Sequence, residues 1–268
     1  MSNTFANIKT ENEDGVLTIT LNRPDSFNAL NEQLSVELTT ALRMAERDPE
    51  TRCIVLTGAG KAFCAGQDLI EIKSHYTDDG TKPLDFGVLL RSRYNPIVSR
   101  LRSIEKPVIA ALNGVAAGAG ASLAFAADLR IGCKSASIVP AFINIGLIPD
   151  AGGTHNLQRI VGYAKAAEIW MLGEKVSAEE AYRIGLFNRL VEDDELMPKT
   201  MELARRLASM PTRGIGLTKR GLNRAWNATL DDQLEYEAFL QQTAGMTEDH
   251  REGVLAFIEK RAAEFKGR

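Results

Sequence analysis

Val108-Ile-Ala-Ala-Leu-Asn-Gly-Val-Ala-Ala-Gly-Ala-Gly120 is the stretch on which the fold turns. Its first five residues are a continuous apolar run set off by Lys106-Pro107, the pattern of a short buried strand. Glycines then lead directly into a helical stretch. Upstream, Cys53-Ile-Val-Leu56 is a second buried strand, and Gly58-Ala-Gly-Lys-Ala-Phe-Cys-Ala-Gly66 is the loop that follows it. Downstream, Leu129-Arg-Ile131 and Ser137-Ile-Val139 read as two strands before a helix beginning near Asp150. This loose strand-strand-helix recurrence predicts an α/β chain wound as a coiled stack of units, although no clean sequence repeat accompanies it.

The flanks fit that core. Val16-Leu-Thr-Ile-Thr-Leu21 reads as a strand closed by the turn Asn22-Arg-Pro-Asp25. Asn31 is placed to cap a helix whose apolar face is Leu34, Leu38, Ala41, Leu42 and Ala45, stopped by Asp48-Pro49. Ser74 to Phe86 is polar, contains Gly80 and Pro83, and reads as a lid or disordered excursion. From Asp193 the pattern is helical, with helices expected over Leu196 to Met210, Thr212 to Ala225 and Glu248 to Phe265. The expected organisation is a core over 1–192 and a C-terminal helical subdomain over 193–268, which packs on the core or on a neighbouring subunit.

Composition narrows the function classes. Of 268 residues, 44% are hydrophobic and 25% charged, ordinary for a globular chain, and the net charge of -3 offers no broad footprint for nucleic acid or an anionic membrane. The N-terminus lacks an apolar signal core, so a cytoplasmic location is expected. The small-residue run from Val108 to Ala127 is interrupted by Asn113, Gly114, Gly118 and Gly120, so no membrane span is expected. Cys53, Cys64 and Cys133 show no CxxC spacing, and His75, His155 and His250 are scattered, so neither a metal site nor a prosthetic group is expected.

A glycine run entering a helix leaves unpaired N–H groups at the positive end of the helix dipole, and such a place holds an oxyanion. Gly66 allows close backbone approach, which lets the N–H of Gln67 face a ligand, and Gly118 and Gly120 flank Ala119 in the same way. Two such donors on one thioester oxygen stabilise an enolate, each by about 3 kcal/mol. The plainer alternative is that these glycines only permit tight turns and close helix packing. Neither loop contains GxxxxGK[ST] or GxGxxG in its expected setting, which disfavours nucleotide hydrolysis.

Leu21-Asn-Arg-Pro24 with Asn28-Ala-Leu30, Phe63-Cys-Ala-Gly-Gln-Asp-Leu69, Lys106-Pro-Val-Ile-Ala110 with Asn113-Gly114, and Ile148-Pro-Asp-Ala-Gly-Gly-Thr154 follow one another along the chain. Ser177-Ala-Glu-Glu-Ala181, Gly185-Leu186 and Phe257-Ile-Glu-Lys-Arg261 continue the series. In this order they resemble the crotonase (enoyl-CoA hydratase/isomerase) superfamily over nearly the whole chain. The resemblance implies a crotonase-like spiral of strand-strand-helix units, a coenzyme A thioester as substrate, and homotrimers or dimers of trimers. It also implies oxyanion donors at Gln67 and Ala119. Coenzyme A contacts are implied at or near Phe27, Asn28, Ala29, Ala65, Gly66, Gln67, Asp68, Leu69, Gly118, Phe257 and Lys260, with Lys260 equally readable as a solvated helix charge.

Hydratases of that family use two glutamates. Matching the motifs places Ser122 and Phe142 at those positions, a poor base and a side chain unable to transfer a proton. Asp150 lies where single-aspartate isomerases of the family, including the ring-epoxide phenylacetyl-CoA group, place their acid/base. Spacing alone also suits Asp150 as a helix N-cap. Phe142, Ile143, Ile145 and Leu147 are expected to desolvate it and raise its pKa. The expected activity is therefore an acyl-CoA isomerase, with fatty acid metabolism or phenylacetate degradation as the setting. A hydratase with a displaced acid/base, and a non-catalytic acyl-CoA or RNA-binding relative, remain as alternatives. Asp68 reads as a helix N-terminal charge, Glu71 as a solvated face, Cys64 as a packed thiol, and His155 as support for the turn after Gly153.

Overall fold

Each strand-strand-helix unit sends its first strand into one sheet and its second strand into another. The computed structural model describes residues 5–76 and 84–268. Its strands are β1 (Ile8–Glu13), β2 (Val16–Leu21), β3 (Cys53–Gly58), β4 (Ala62–Cys64), β5 (Val108–Leu112), β6 (Val115–Ala117), β7 (Leu129–Cys133), β8 (Ser137–Val139), β9 (Val176–Ser177) and β10 (Arg189–Val191). The larger sheet has the order β1-β2-β3-β5-β7-β10 and the smaller β4-β6-β8-β9. Successive units thus add β3, β5 and β7 side by side in one sheet and β4, β6 and β8 side by side in the other, all parallel. This is the expected spiral.

The residue pattern explains the layering. All five residues of β5 and the first five of β3 are buried, as strands covered on both faces must be, and both are apolar save Thr57. The Thr57 hydroxyl donates to the Ala111 carbonyl at 2.9 Å, so its burial leaves no orphaned polar group. β1 was not legible beforehand because it is an antiparallel edge strand with only Ile8 buried, so it carries no alternating signal. β6 was hidden inside the glycine-rich loop.

The helices are α1 (Glu32–Arg47), α2 (Leu69–Ile72), α3 (Phe86–Leu89), α4 (Asn95–Ser103), α5 (Ala119–Ala126), α6 (Gly153–Val161), α7 (Tyr163–Leu172), α8 (Ala178–Arg183), α9 (Leu196–Ala208), α10 (Thr212–Ala225), α11 (Leu230–Gly245) and α12 (Glu248–Glu259). Asn31 caps α1 by accepting from the Leu34 N–H at 2.8 Å, and the expected apolar face of α1 is buried. A π-helical turn, Leu90–Tyr94, joins α3 to α4. Its cause lies in Pro96, which has no N–H to give the preceding turn and whose ring crowds the carbonyl four residues back. Residues 77–83 of the expected Ser74 to Phe86 excursion lie outside the described residues.

Two boundaries differ from expectation. The helix expected near Asp150 begins at Gly153, after Gly152 with φ 74°. The helix expected to reach Phe265 stops at Glu259, where Lys260 takes φ 55° and the Asp249 carboxylate accepts from the N–H groups of Lys266 and Gly267 at 2.6 and 2.8 Å. Leu196, Ala204 and Ala208 of α9 belong to the main apolar core, so residue 193 marks a change of secondary structure within one core. No helix among the described residues is long and apolar enough to cross a membrane.

Candidate active site

The site is built where parallel strands of the smaller sheet end. β4 and β6 run side by side with Cys64 opposite Ala116, so the segments that leave their C-terminal ends, Ala65-Gly66-Gln67 and Gly118-Ala119, emerge together. Glycine makes this approach feasible. Gly66 has φ 87°, and a Cβ there would stand 2.7 Å from the Ala117 carbonyl oxygen and 3.2 Å from the Ala119 nitrogen. A Cβ on Gly120 would stand 2.2 Å from the Cys64 carbonyl oxygen, so α5 also begins against the first loop. The glycines therefore permit close packing, and that packing brings Gln67 beside Ala119.

The peptide of Gln67 is held from its flanks. Leu30 donates its N–H to the Gly66 carbonyl at 2.7 Å, and Asp68 donates its N–H to the Leu30 carbonyl at 3.1 Å. In this isolated parallel bridge the Gln67 N–H is left pointing away from Leu30. Ala119 is the first residue of α5, where the helix offers its N–H no acceptor. Neither N–H donates to a protein acceptor among the described residues.

Gln67, Gly118, Ala119, Phe142 and Asp150 line one cavity of about 320 Å³, together with Ala65, Leu69, Ile72, Tyr76, Phe86, Leu89, Tyr94, Ala141, Ile145 and Leu147. Asp150 is the only carboxylate among these lining residues. Its Oδ1 is buried with no hydrogen-bond partner among the described residues, and it caps no helix: α6 starts after Gly152 with no side-chain cap. Burial pushes the Asp150 carboxyl up to about 6, partly offset by its own peptide N–H. Phe142, Ile145 and Leu147 share the wall as expected, whereas Ile143 is half exposed and packs toward Gly173. Phe142 is itself pinned edge-on against Trp170, ring centroids 5.8 Å apart. Ser122 is fully buried beside Gly153, outside the lining, and its Oγ has no partner among the described residues.

The other expected contact residues separate into groups. Asn28 is fully buried: its amide donates to the carbonyls of Ala59 and Ala62 at 2.9 and 2.8 Å, and its Oδ1 accepts from the Arg23 N–H at 2.9 Å. It braces the turn that carries half-exposed Phe27 and the buried Ala29. Asp68 pairs with Arg23 at 2.9 Å and caps α2 through Ile70 and Glu71. Its burial is outweighed by these partners, so its carboxyl sits below the usual range. Phe257 and Lys260 lie on and just after α12, outside the cavity lining, with Phe257 86% exposed. Cys64 is buried, its thiol pushed up to about 12, and it donates to the Asn28 carbonyl. Glu71 differs from the solvated face expected of it. It bridges Arg93 at 2.7 Å and accepts from the Glu32 N–H at 3.0 Å. His155 is exposed.

Tyr94 was missed from the sequence. It is buried, lines the cavity, and donates its hydroxyl to Gln67 Oε1. The available signal was Tyr94-Asn-Pro96, a tyrosine displaced by the π turn that the proline imposes. No cluster of three or more metal-ligating side chains occurs among the described residues.

Gln67 and Ala119, whose backbone N–H groups have no protein acceptor among the described residues, line the same cavity as the desolvated Asp150 carboxylate, an arrangement able to support general acid/base chemistry on a polarised carbonyl. The family model for enoyl-CoA hydratase/isomerase matches residues 11–268. The chain is 47% identical over 256 residues to the 1,2-epoxyphenylacetyl-CoA isomerase of Escherichia coli K12, covering 96% of this chain and 97% of that one. It is 38% identical over 264 residues to a short-chain-enoyl-CoA hydratase of Clostridium acetobutylicum, covering 98% of each. A crystal structure of enoyl-CoA hydratase from Bacillus anthracis superposes with a TM-score of 0.91 at 33% identity, covering 98% of this chain and 100% of that one. The chain belongs to the enoyl-CoA hydratase/isomerase family, within the crotonase superfamily.

Proposed function

We propose that this chain is an acyl-CoA isomerase that moves a double bond, or rearranges an oxygenated ring, through an enolate held by the N–H groups of Gln67 and Ala119, with Asp150 as the one proton shuttle. The observation that carries this reading is the solitary Asp150, the only carboxylate among the lining residues and raised toward neutrality by burial. A base with a pKa near 6 is ionised at neutral pH yet returns its proton readily, which suits removal at one carbon and delivery at another. The backbone donors are fixed before substrate arrives, so they stabilise the enolate oxygen without reorganisation. Hydration needs a second group to handle water, and Phe142 supplies none. The 47% identity to the epoxyphenylacetyl-CoA isomerase supports the same direction.

On this reading a coenzyme A thioester is the substrate, with no prosthetic group, and the chain works in the cytoplasm as a homotrimer or dimer of trimers. The apolar residues Leu230, Leu234, Met246 and Ile258, exposed on and beside the C-terminal helices of the single chain, support burial against other copies. Lys260 then supplies charge to the coenzyme A phosphates. Conversion of 3-hexenoyl-CoA to 2-hexenoyl-CoA tests the proposal. Asp150→Asn is expected to lower kcat by at least about 1,000-fold. Retained turnover in that variant sinks the assignment of Asp150.

A further inference from the structure

The cavity wall is apolar except for Asp150, the two backbone donors, the exposed Tyr76 at its rim, and one buried side-chain pair: the Tyr94 hydroxyl and the Gln67 amide. That pair stands on a fixed base. Gln67 Nε2 donates to the Asp68 carbonyl at 3.2 Å, and Asp68 is tied to Arg23 at 2.9 Å. The hydroxyl is therefore one glutamine side chain away from the Gln67 N–H proposed above to hold the thioester oxygen. Burial raises the Tyr94 pKa and the charge of Asp150 adds to it, so the phenol keeps its proton.

Two kinds of acyl group use the same first step. With a 3-enoyl thioester, Asp150 removes a C2 proton, the C2–H pair becomes the C2=C3 bond, and the former C3=C4 pair takes the proton back at C4. With a 3,4-epoxyacyl thioester the C2–H pair again becomes C2=C3. The C3–O pair then leaves with the oxygen, which remains on C4 as an alkoxide and takes the proton back from Asp150. Both are isomerisations needing no water, oxidant or co-reactant. Only the second builds charge on an oxygen beyond the thioester.

Resting on the reading of Asp150 as the base, we infer that Tyr94 is a further catalytic residue for acyl groups bearing oxygen beyond C2, its hydroxyl turning from Gln67 to the substrate oxygen as the carbon–oxygen bond opens. Hydrogen bonds to charged acceptors are roughly twice as strong as those to neutral ones, so the exchange is favoured only as charge develops. It acts on kcat and leaves KM nearly unchanged. With a hydrocarbon acyl group the hydroxyl stays on Gln67, so no buried donor is orphaned and such substrates suffer no penalty.

The test compares wild type, Tyr94→Phe and Asp150→Asn on 3,4-epoxyhexanoyl-CoA and 3-hexenoyl-CoA, with product identity by mass spectrometry. Tyr94→Phe is expected to lower kcat on the epoxide about tenfold to a hundredfold. KM on the epoxide should stay within about twofold, and the loss of kcat on 3-hexenoyl-CoA, which reports only the lost support of Gln67, should be at least about fivefold smaller than the loss on the epoxide. Retained turnover of 3-hexenoyl-CoA also shows that the variant is folded. Equal loss on both substrates, no loss on the epoxide, or a wild type that leaves the epoxide unopened overturns the role of Tyr94. Asp150→Asn is read separately. If it keeps turnover of both substrates, the assignment of the base fails even where Tyr94→Phe separates them.

Discussion

Replacing Asp150 by Asn should make the protein more stable as it abolishes turnover, and the gain should depend on pH in a defined way. The folded chain raises the Asp150 carboxyl from 3.8 to about 6. A shift of that size is about 3 kcal/mol of differential interaction, since each unit is worth about 1.4 kcal/mol. The sign follows from proton counting. Between pH 3.8 and about 6 the folded state holds a proton that the unfolded state has released, so stability contributed at this site falls as pH rises through that window. Below it both states are neutral and Asn matches Asp. Above it the folded state carries an ionised, poorly solvated carboxylate that Asn lacks. Asp150→Asn is thus expected to be stabilised by up to about 3 kcal/mol at pH 8 and by nearly nothing at pH 3.5. Urea unfolding of both proteins at one protein concentration, repeated across pH, measures this difference. A variant less stable than wild type at pH 8, or a difference flat with pH, refutes the claim that Asp150 is desolvated.

Other outcomes follow from the same geometry. Because Asp150 must be ionised to take a proton, kcat/KM for 3-hexenoyl-CoA should fall tenfold per pH unit below about pH 6, and a stopped-assay pH profile reads that limb. A profile flat down to pH 5 contradicts it. Gly66→Ala places a Cβ 2.7 Å from the Ala117 carbonyl at a φ of 87°, so it should cost at least about 2 kcal/mol in thermal or urea unfolding. By shifting Gln67 it should lower kcat/KM about 100-fold or more. Asn28→Ala removes the bonds to Arg23, Ala59 and Ala62 from a fully buried position. It should cost about 3 kcal/mol, seen as a lower urea midpoint.

The recurrence of strand, strand and helix was legible because β3 and β5 are doubly covered strands, which must be apolar throughout. Their allocation to two sheets was not, since pairing between units is non-local and no residue of Val115–Ala117 distinguishes a strand from a glycine-rich loop. The N–H groups of Gln67 and Ala119 were legible as unpaired because glycine before a helix has a direct physical meaning. Asp150 was ambiguous: an aspartate before a helix is also a good cap, and only the left-handed residues Ala151 and Gly152, interposed before α6, separate the two roles. Tyr94 was missed because the π turn, of which Pro96 is the sequence mark, shifts the face that a helical residue presents. The bracing role of Asn28, named from the sequence only as a ligand contact, was not legible because it depends on partners 31 and 34 residues away.

The most direct test offers the protein 3-hexenoyl-CoA and, separately, crotonyl-CoA, and identifies the products by mass. A single-carboxylate isomerase converts the first to 2-hexenoyl-CoA with no change in mass and leaves the second without added water. Formation of 3-hydroxybutyryl-CoA from crotonyl-CoA, with 3-hexenoyl-CoA untouched, would contradict the account.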